Sequence, residues 1–330
     1  MNVILASRRL KTSDRRDHVY AFLGSPLARR KNGSLIVEPD YDKKNDAENV
    51  FVEVAIALLA NEREAPWVLL YVDPTCEDDL QAVHLPSWAP RWDSWEHKGN
   101  GECEYWYRAG GEIKLFKPKV HDTYHLHFDG FLFDHIQWTS DLIQMDRFLL
   151  SLAQPPSQYP GKVLVDELWA ALVAIVGCTD REFHDGFLLA LVRAFPFAKG
   201  LFSINMDELR ADFRAYQTRI RSPSRDRVSH SDLLEDGNPW GMEFNLLNLE
   251  NKRFFFRKTG RLGVAPSFSR PGDVCCIAFG LANPIILRPS TSNPNHYNLV
   301  GGAYINDVMN GELLENLDIS DLKTETIRLA

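Results

Sequence analysis

No C-x-x-C pair occurs in the 330 residues, and the five cysteines (Cys76, Cys103, Cys178, Cys275 and Cys276) are scattered and odd in number. That pattern removes the main signal of a zinc ribbon, a thioredoxin-type redox pair or a disulfide scaffold. Cys275 and Cys276 are adjacent, so in a strand they face opposite sides, and reduced, buried thiols are expected. G-x-x-x-x-G-K-[ST], G-x-S-x-G and H-E-x-x-H are also missing, which takes away the phosphate loop, the serine-hydrolase elbow and the compact zinc-hydrolase site. The longest apolar run, Leu168 to Val176, is about half of the ~20 residues that a membrane span needs. The first residues put a short apolar stretch ahead of their charges, the reverse of a secretory signal. Positive charge is in deficit: 37 Lys+Arg against 45 Asp+Glu gives a formal net charge of −8. That balance argues against nucleic acid as a partner. The expectation is a cytoplasmic protein with no membrane contact, no nucleic acid and no cofactor.

What is present is ordinary globular material, 45% hydrophobic and 25% charged, with eight Trp, ten Tyr and nineteen Phe. Such an aromatic-rich chain rests its cores on large rings. Ser13-Asp14 and Gly24 bracket a short helix from Arg15 to Leu23. Asn45-Asp46 caps a second helix to about Asn61, whose Val50, Phe51, Val54, Ala55, Leu58 and Leu59 form one apolar stripe. Two prolines in Leu85–Trp95 forbid a regular element, and Trp88, Trp92 and Trp95 must be buried there. Residues 112–138 read as a strand meander with Asp129-Gly130 at a turn. Helices are expected over 141–152, 163–176, 181–195, 206–220 and 239–250. The predicted fold class is α+β: a mostly helical body over 1–220 with the meander inserted, a polar linker or mobile loop over 221–238, a small Gly/Pro-punctuated antiparallel β unit over 239–317, and a tail over 318–330.

Four segments carry a family resemblance. Ser13-Asp14-Arg15-Arg16-Asp17-His18-Val19-Tyr20-Ala21-Phe22-Leu23-Gly24 is similar to D-P-R-D-K-x-Y-A-L-L-G, with Arg15 in place of Pro. Val37-Glu38-Pro39-Asp40-Tyr41 matches a P-D-Y step before a helix. Leu85-Pro86-Ser87-Trp88-Ala89-Pro90-Arg91-Trp92 is close to L-P-S-W-V-P-D-W, with Arg91 at the acidic place. Gly260-Arg261-Leu262-Gly263-Val264-Ala265-Pro266, Pro271-Gly272-Asp273-Val274-Cys275, Leu287-Arg288-Pro289, Tyr297 to Tyr304 and Met309-Asn310-Gly311-Glu312 complete the series. In this order they resemble the region that follows the signature domain of fungal heterokaryon-incompatibility (HET) proteins. The resemblance implies a TIR-related domain ahead of that region, linked to cell-death signalling and NAD cleavage. Its motifs, Y-x-A-L-S-Y-x-W-G and W-I-D-x-L-C-I, do not occur in this sequence, so that domain is expected to be missing and none of its site residues is carried over.

The remaining candidates come from residue chemistry. Arg16 and Asp17 read either as a partly buried pair, with the guanidinium stacked on an indole of the Trp88/Trp92 loop, or as an anion site. His121, His125, His127 and His135 form the densest histidine group. In a strand His125, His127 and Asp129 share a face, which makes them the rival metal site beside a reading of half-exposed strand histidines, with no metal expected. Arg261, Gly263 and Gly272-Asp273 are read as tight turns, with the glycines supplying positive φ and Asp273 capping its own turn. Trp88, Trp92, Trp95, Arg16 and Arg261 are the expected ligand or partner contacts; Asp17, His18 and Asp273 are the catalytic candidates. The leading function is a recognition and regulatory module acting through protein contacts. The alternative is an enzyme of fungal secondary metabolism, with a small apolar ligand in an aromatic-lined pocket and acid–base side chains.

Overall fold

The computed structural model describes residues 11–30, 32–62, 64–80, 84–93, 107–111, 116–122, 124–142, 251–315 and 325–330. Nearly all of the helices expected between 141 and 250, the linker over 221–238 and Trp95 lie outside them. Two compact units divide the chain: Met1–Ile136 with Ala265–Ala303 and Asp307–Ala330, and Gln137–Val264 with Tyr304–Asn306.

Short helices open the first unit. Helix α1 (Asp17–Tyr20) is a single turn rather than the nine residues expected. Asp14 still marks its start, since its carboxylate accepts the Arg16 N–H at 2.9 Å. Helix α2 (Ala47–Leu59) follows the sequence closely: Asp46 accepts the Asn49 N–H at 2.9 Å, and the predicted stripe is buried. Then come α3 (Ala65–Val68) and α4 (Glu77–Leu80). Beyond α4, residues 84–93 form no helix or strand, as the prolines require.

Five strands of the same unit close into a ring: β2 (Leu126–Thr139, through Ile136), β5 (Val274–Ala278), β6 (Ile285–Pro289), β7 (Tyr297–Gly302) and β9 (Glu325–Leu329). β2 pairs with β5, β5 with β6, β6 with β7 and β9 with β2, all antiparallel, while β7 meets β9 in parallel at Tyr297 and Leu329. Each strand sends side chains into one apolar cluster, among them Leu126, Phe128, Cys276, Ile285, Leu299 and Ile327. A short β1 (Lys119–Val120) pairs with the start of β2. Gly130 faces Ala278 on one side and Glu325 on the other, so it is where the ring closes. A Cβ there would lie 2.4 Å from the Ile277 carbonyl oxygen, so the position tolerates only glycine.

Two corrections follow. Strand, not helix, dominates the described residues, and Ala47–Leu59 is the longest helix among them; the mostly helical α+β assignment is wrong. β5 is buried at every position, like the inner positions of β6 and of the strands Arg253–Arg257 and Leu262–Ala265, so these strands lack the apolar–polar alternation that would have announced a large sheet. The Asp129-Gly130 pair, expected to turn a meander, lies inside the 14-residue strand β2. Glycine serves a close backbone approach there and not a reversal.

In the second unit, β3 (Arg253–Arg257) and β4 (Leu262–Ala265, through Val264) are joined by a turn in which Gly260 has φ +89°, and β4 pairs with β8 (Tyr304–Ile305); Gly263, expected at a turn, lies inside β4 instead. Trp138 and Phe256 pack ring to ring at 5.8 Å. The last short helix, α5 (Glu312–Glu315), belongs to the first unit. No helix among the described residues is long and apolar enough to cross a membrane.

Candidate functional site

Two of the quoted motifs meet at the start of the chain. Arg16 binds Asp14 through Nε and Nη2, at 3.0 and 2.7 Å, and its Nη1 donates to the carbonyls of Asp40 (3.3 Å), Asp42 (3.0 Å) and Asn45 (2.7 Å). The guanidinium lies over the Tyr41 ring at 5.1 Å, so its stacking partner is a phenol and not an indole. Its acidic partner is Asp14, because Asp17 is engaged elsewhere: the Tyr41 hydroxyl donates to Asp17 at 2.5 Å. The hydrogen bond and the charge of Arg16 bring the Asp14 carboxyl down to about 2. The bond to Asp17 pushes the Tyr41 phenol up to about 12, so it stays neutral at any physiological pH. Tyr41 packs edge-on against Tyr20 at 5.1 Å, yet more than half of its surface, 54%, faces solvent. Arginine thus fastens the loop before α2 and holds an aromatic ring outward. His18, by contrast, is buried.

The tryptophans are placed differently. Trp88 and Trp92 are fully buried, and their indole N–H groups donate to the carbonyls of Tyr124 (3.0 Å) and Phe51 (3.2 Å). As they stand, neither ring is open to a ligand. The tie between the α1 region and this segment is made by Arg15, which bridges Asp93 (2.5 Å) and Glu48 (2.6 Å). Ser87, inside the same motif, has a role of its own that spacing does not signal. Its hydroxyl bonds the Ala330 carbonyl and accepts the Leu299 N–H at 3.0 Å, joining β7 to the residue after β9. Only the three-dimensional course of β7 and β9 reveals that role.

Asp273 accepts the Arg270 N–H at 2.9 Å, the expected turn cap, but its larger partner is Arg288. Arg288 Nε and Nη2 reach its two oxygens at 2.8 and 3.0 Å, and both side chains are almost wholly buried. Arg288 also donates to the Phe268 carbonyl at 2.8 Å and lies 3.3 Å from Glu77 of α4. Gly272 beside it has φ +94°, as a turn glycine should. In the second unit, Arg261 is exposed directly after the Gly260 turn.

The histidines form a group with a changed membership. His121 and His127 lie 3.9 Å apart, ring to ring, and His296 joins them, 5.1 Å from His125 and 6.4 Å from His127. His125 bonds Asp122 at 2.8 Å. His135, eight residues along β2 from His127, is exposed opposite Val274. Burial lowers the His127 pKa, and the charges of His121, Arg328, His296 and His125 add to the effect. Asp129 shares the face of His127, as the alternation predicted, and meets the Thr326 hydroxyl at 3.5 Å. Among the described residues, no group of three or more His, Cys, Asp or Glu has the arrangement of a metal site. Of the cysteines, Cys275 and Cys276 are buried and in no disulfide, and desolvation raises the Cys276 thiol well above its ordinary value. Cys76 is exposed, contrary to the expectation of burial, while Cys103 and Cys178 lie outside the described residues.

Residues 196–322 match the family described as the Het-6 beta-barrel domain. β5, β6 and β7 fall inside that stretch, whereas β2 and β9, which close the ring, fall outside it. No solved structure matches. The chain is 33% identical over 354 aligned positions to the heterokaryon incompatibility protein 6, OR allele, of Neurospora crassa, in a match that covers 94% of this chain and 50% of the relative. It therefore spans about half the length of that curated relative. With three of the ring's five strands inside the matched barrel region and near-complete coverage by the relative, the chain belongs to the heterokaryon-incompatibility (HET) protein family.

Proposed function

We propose that the chain is a recognition and regulatory module of heterokaryon incompatibility, acting through protein contacts in self/non-self recognition or in the cell-death signalling that follows it. The observation that carries this reading is the match along 94% of the chain to a protein named for heterokaryon incompatibility. The Arg16 clamp supports it, because an outward tyrosine on a rigid base is a common form of interface anchor. Buried tryptophans with satisfied N–H groups count against the aromatic-lined pocket of the enzyme alternative. The test is expression of the full chain in Neurospora crassa strains of differing incompatibility genotype, scored by heterokaryon growth and by vital-dye staining of fusion compartments. Chain-dependent arrest in some pairings, lost in a Tyr41→Ala variant whose melting temperature is unchanged, is the expected result. Growth unaffected in every pairing, or arrest that Tyr41→Ala leaves intact, overturns the proposal.

A further inference from the structure

One face of the ring carries charge opposite in sign to the rest of the molecule. Leu126 and Phe128 of β2, and Ile327 and Leu329 of β9, belong to the apolar cluster, so His127 and Arg328 between them point away from it. Val120 packs against the cluster, so Lys119 points away as well. Lys119 is the direct cross-strand partner of His127 on one side, and Arg328 on the other. Three cationic or protonatable side chains thus stand in a row across β1, β2 and β9, with His121, His125 and His296 gathered around the middle one. Like charges directly opposite each other weaken a sheet. Such a departure from local consistency marks a functional surface more often than a structural one. Among the described residues, the counter-charges nearby are Asp122, held by His125, and Asp129, two positions along β2 beside Thr326.

We propose that this face, made of Lys119, His121, His125, His127, His296 and Arg328, is the docking surface for an acidic peptide segment of a protein partner. The inference rests on the reading of the chain as a protein-contact module and names the chemistry of the partner. Charge complementarity selects the occupant. In a chain of net charge −8, a cationic row is the place where a run of carboxylates gains rather than loses electrostatic energy. Adjacent strands lie about 4.8 Å apart, so the row offers separated charges along a line, which suits successive acidic residues of an extended peptide better than one compact phosphate. The imidazole of His127 in the middle of the row makes the attraction pH-dependent. His127 takes up its proton at a lower pH than an ordinary histidine, because it is partly buried and faces Lys119, Arg328 and three other imidazoles.

Fluorescence anisotropy of a labelled decaglutamate, titrated at low salt with the full chain purified without a histidine tag, tests this. Binding at pH 6 is expected to be at least tenfold tighter than at pH 8. Lys119→Gln with Arg328→Gln should weaken it at least tenfold at both pH values, and His121→Gln, His127→Gln and His296→Gln together should abolish the pH dependence. Diethyl pyrocarbonate modification of the wild-type chain is the check that needs no variant: the peptide should protect His127 and His296. Equal binding by wild type and variants, no pH dependence, unprotected histidines, or tighter binding of a ten-nucleotide RNA or of inorganic phosphate each overturns the proposal. Failure here alongside chain-dependent growth arrest refutes the docking face alone. Peptide binding without any growth phenotype refutes the incompatibility reading and leaves the face standing.

Discussion

Asp273 and Arg288 give the sharpest energetic test of the barrel. Arg288→Met removes the partner of a carboxylate whose side chain is 2% exposed, leaving it with a single backbone N–H, that of Arg270. Asp273→Ala leaves a guanidinium 5% exposed, with the Phe268 carbonyl, the Phe268 ring at 4.7 Å and Glu77 for company. Glu77 is 40% exposed and 3.3 Å away, so it offsets little of the loss. Breaking a buried pair by removing one partner costs about 3–5 kcal/mol, because a desolvated charge is left uncompensated. The double substitution leaves no charge behind. It loses chiefly the bonds to the Arg270 N–H and the Phe268 carbonyl, about 1 kcal/mol each. The double variant should therefore be more stable than either single one. Urea unfolding of the full chain, followed by tryptophan fluorescence and far-ultraviolet circular dichroism, measures all four corners of the cycle. Single costs below about 1 kcal/mol, or costs that add to within about 0.5 kcal/mol, would refute the reasoning.

Trp88→Ala should lower stability by about 3–5 kcal/mol, the usual result of emptying a large aromatic site, and an unmoved melting point contradicts the burial argument. Gly130→Ala places a methyl group against the Ile277 carbonyl, so hydrogen exchange of the Ile277 and Ala278 amides should accelerate; wild-type protection would show that the ring closes elsewhere. Asp17→Asn should bring the Tyr41 phenol down from about 12 towards the ordinary value near 10, read as a wild-type-minus-variant difference in absorbance during alkaline titration. The folded His127 pKa lies below the unfolded one, so between the two the unfolded chain holds the extra proton and stability rises with pH. That contribution is complete above about 6.5 and fades as pH falls through the depressed value; melts between pH 8 and 5 should flatten in His127→Gln, and parallel curves would reject the assignment.

Legibility in the sequence followed the range of the interactions. Asp46 and the stripe of α2 are local, and both were readable from spacing alone. Arg16 was expected to pair with Asp17 and pairs instead with Asp14, two residues before it, and Tyr41 as the stacking partner depends on where the loop before α2 runs. The ring was hidden for two reasons. β5 is buried throughout and shows no alternation, and β2 runs straight through Asp129-Gly130, a pair that in most contexts marks a reversal. The histidine face was half visible: His121, His125 and His127 are neighbours in sequence, while His296 arrives from the turn before β7 and Arg328 from β9.

The closure of the ring also sets a schedule for biosynthesis. Asp129 on β2 and Thr326 on β9 stand 197 residues apart along the chain. At about 5–20 residues per second, a ribosome takes roughly 10–40 s to make the strand that β2 awaits. Throughout that interval the apolar side of β2 has no partner from β9, which makes the nascent chain a client for chaperones and a target for proteases. A substitution that slows pairing at Gly130 should then reduce the amount of protein in the cell by more than its equilibrium stability suggests.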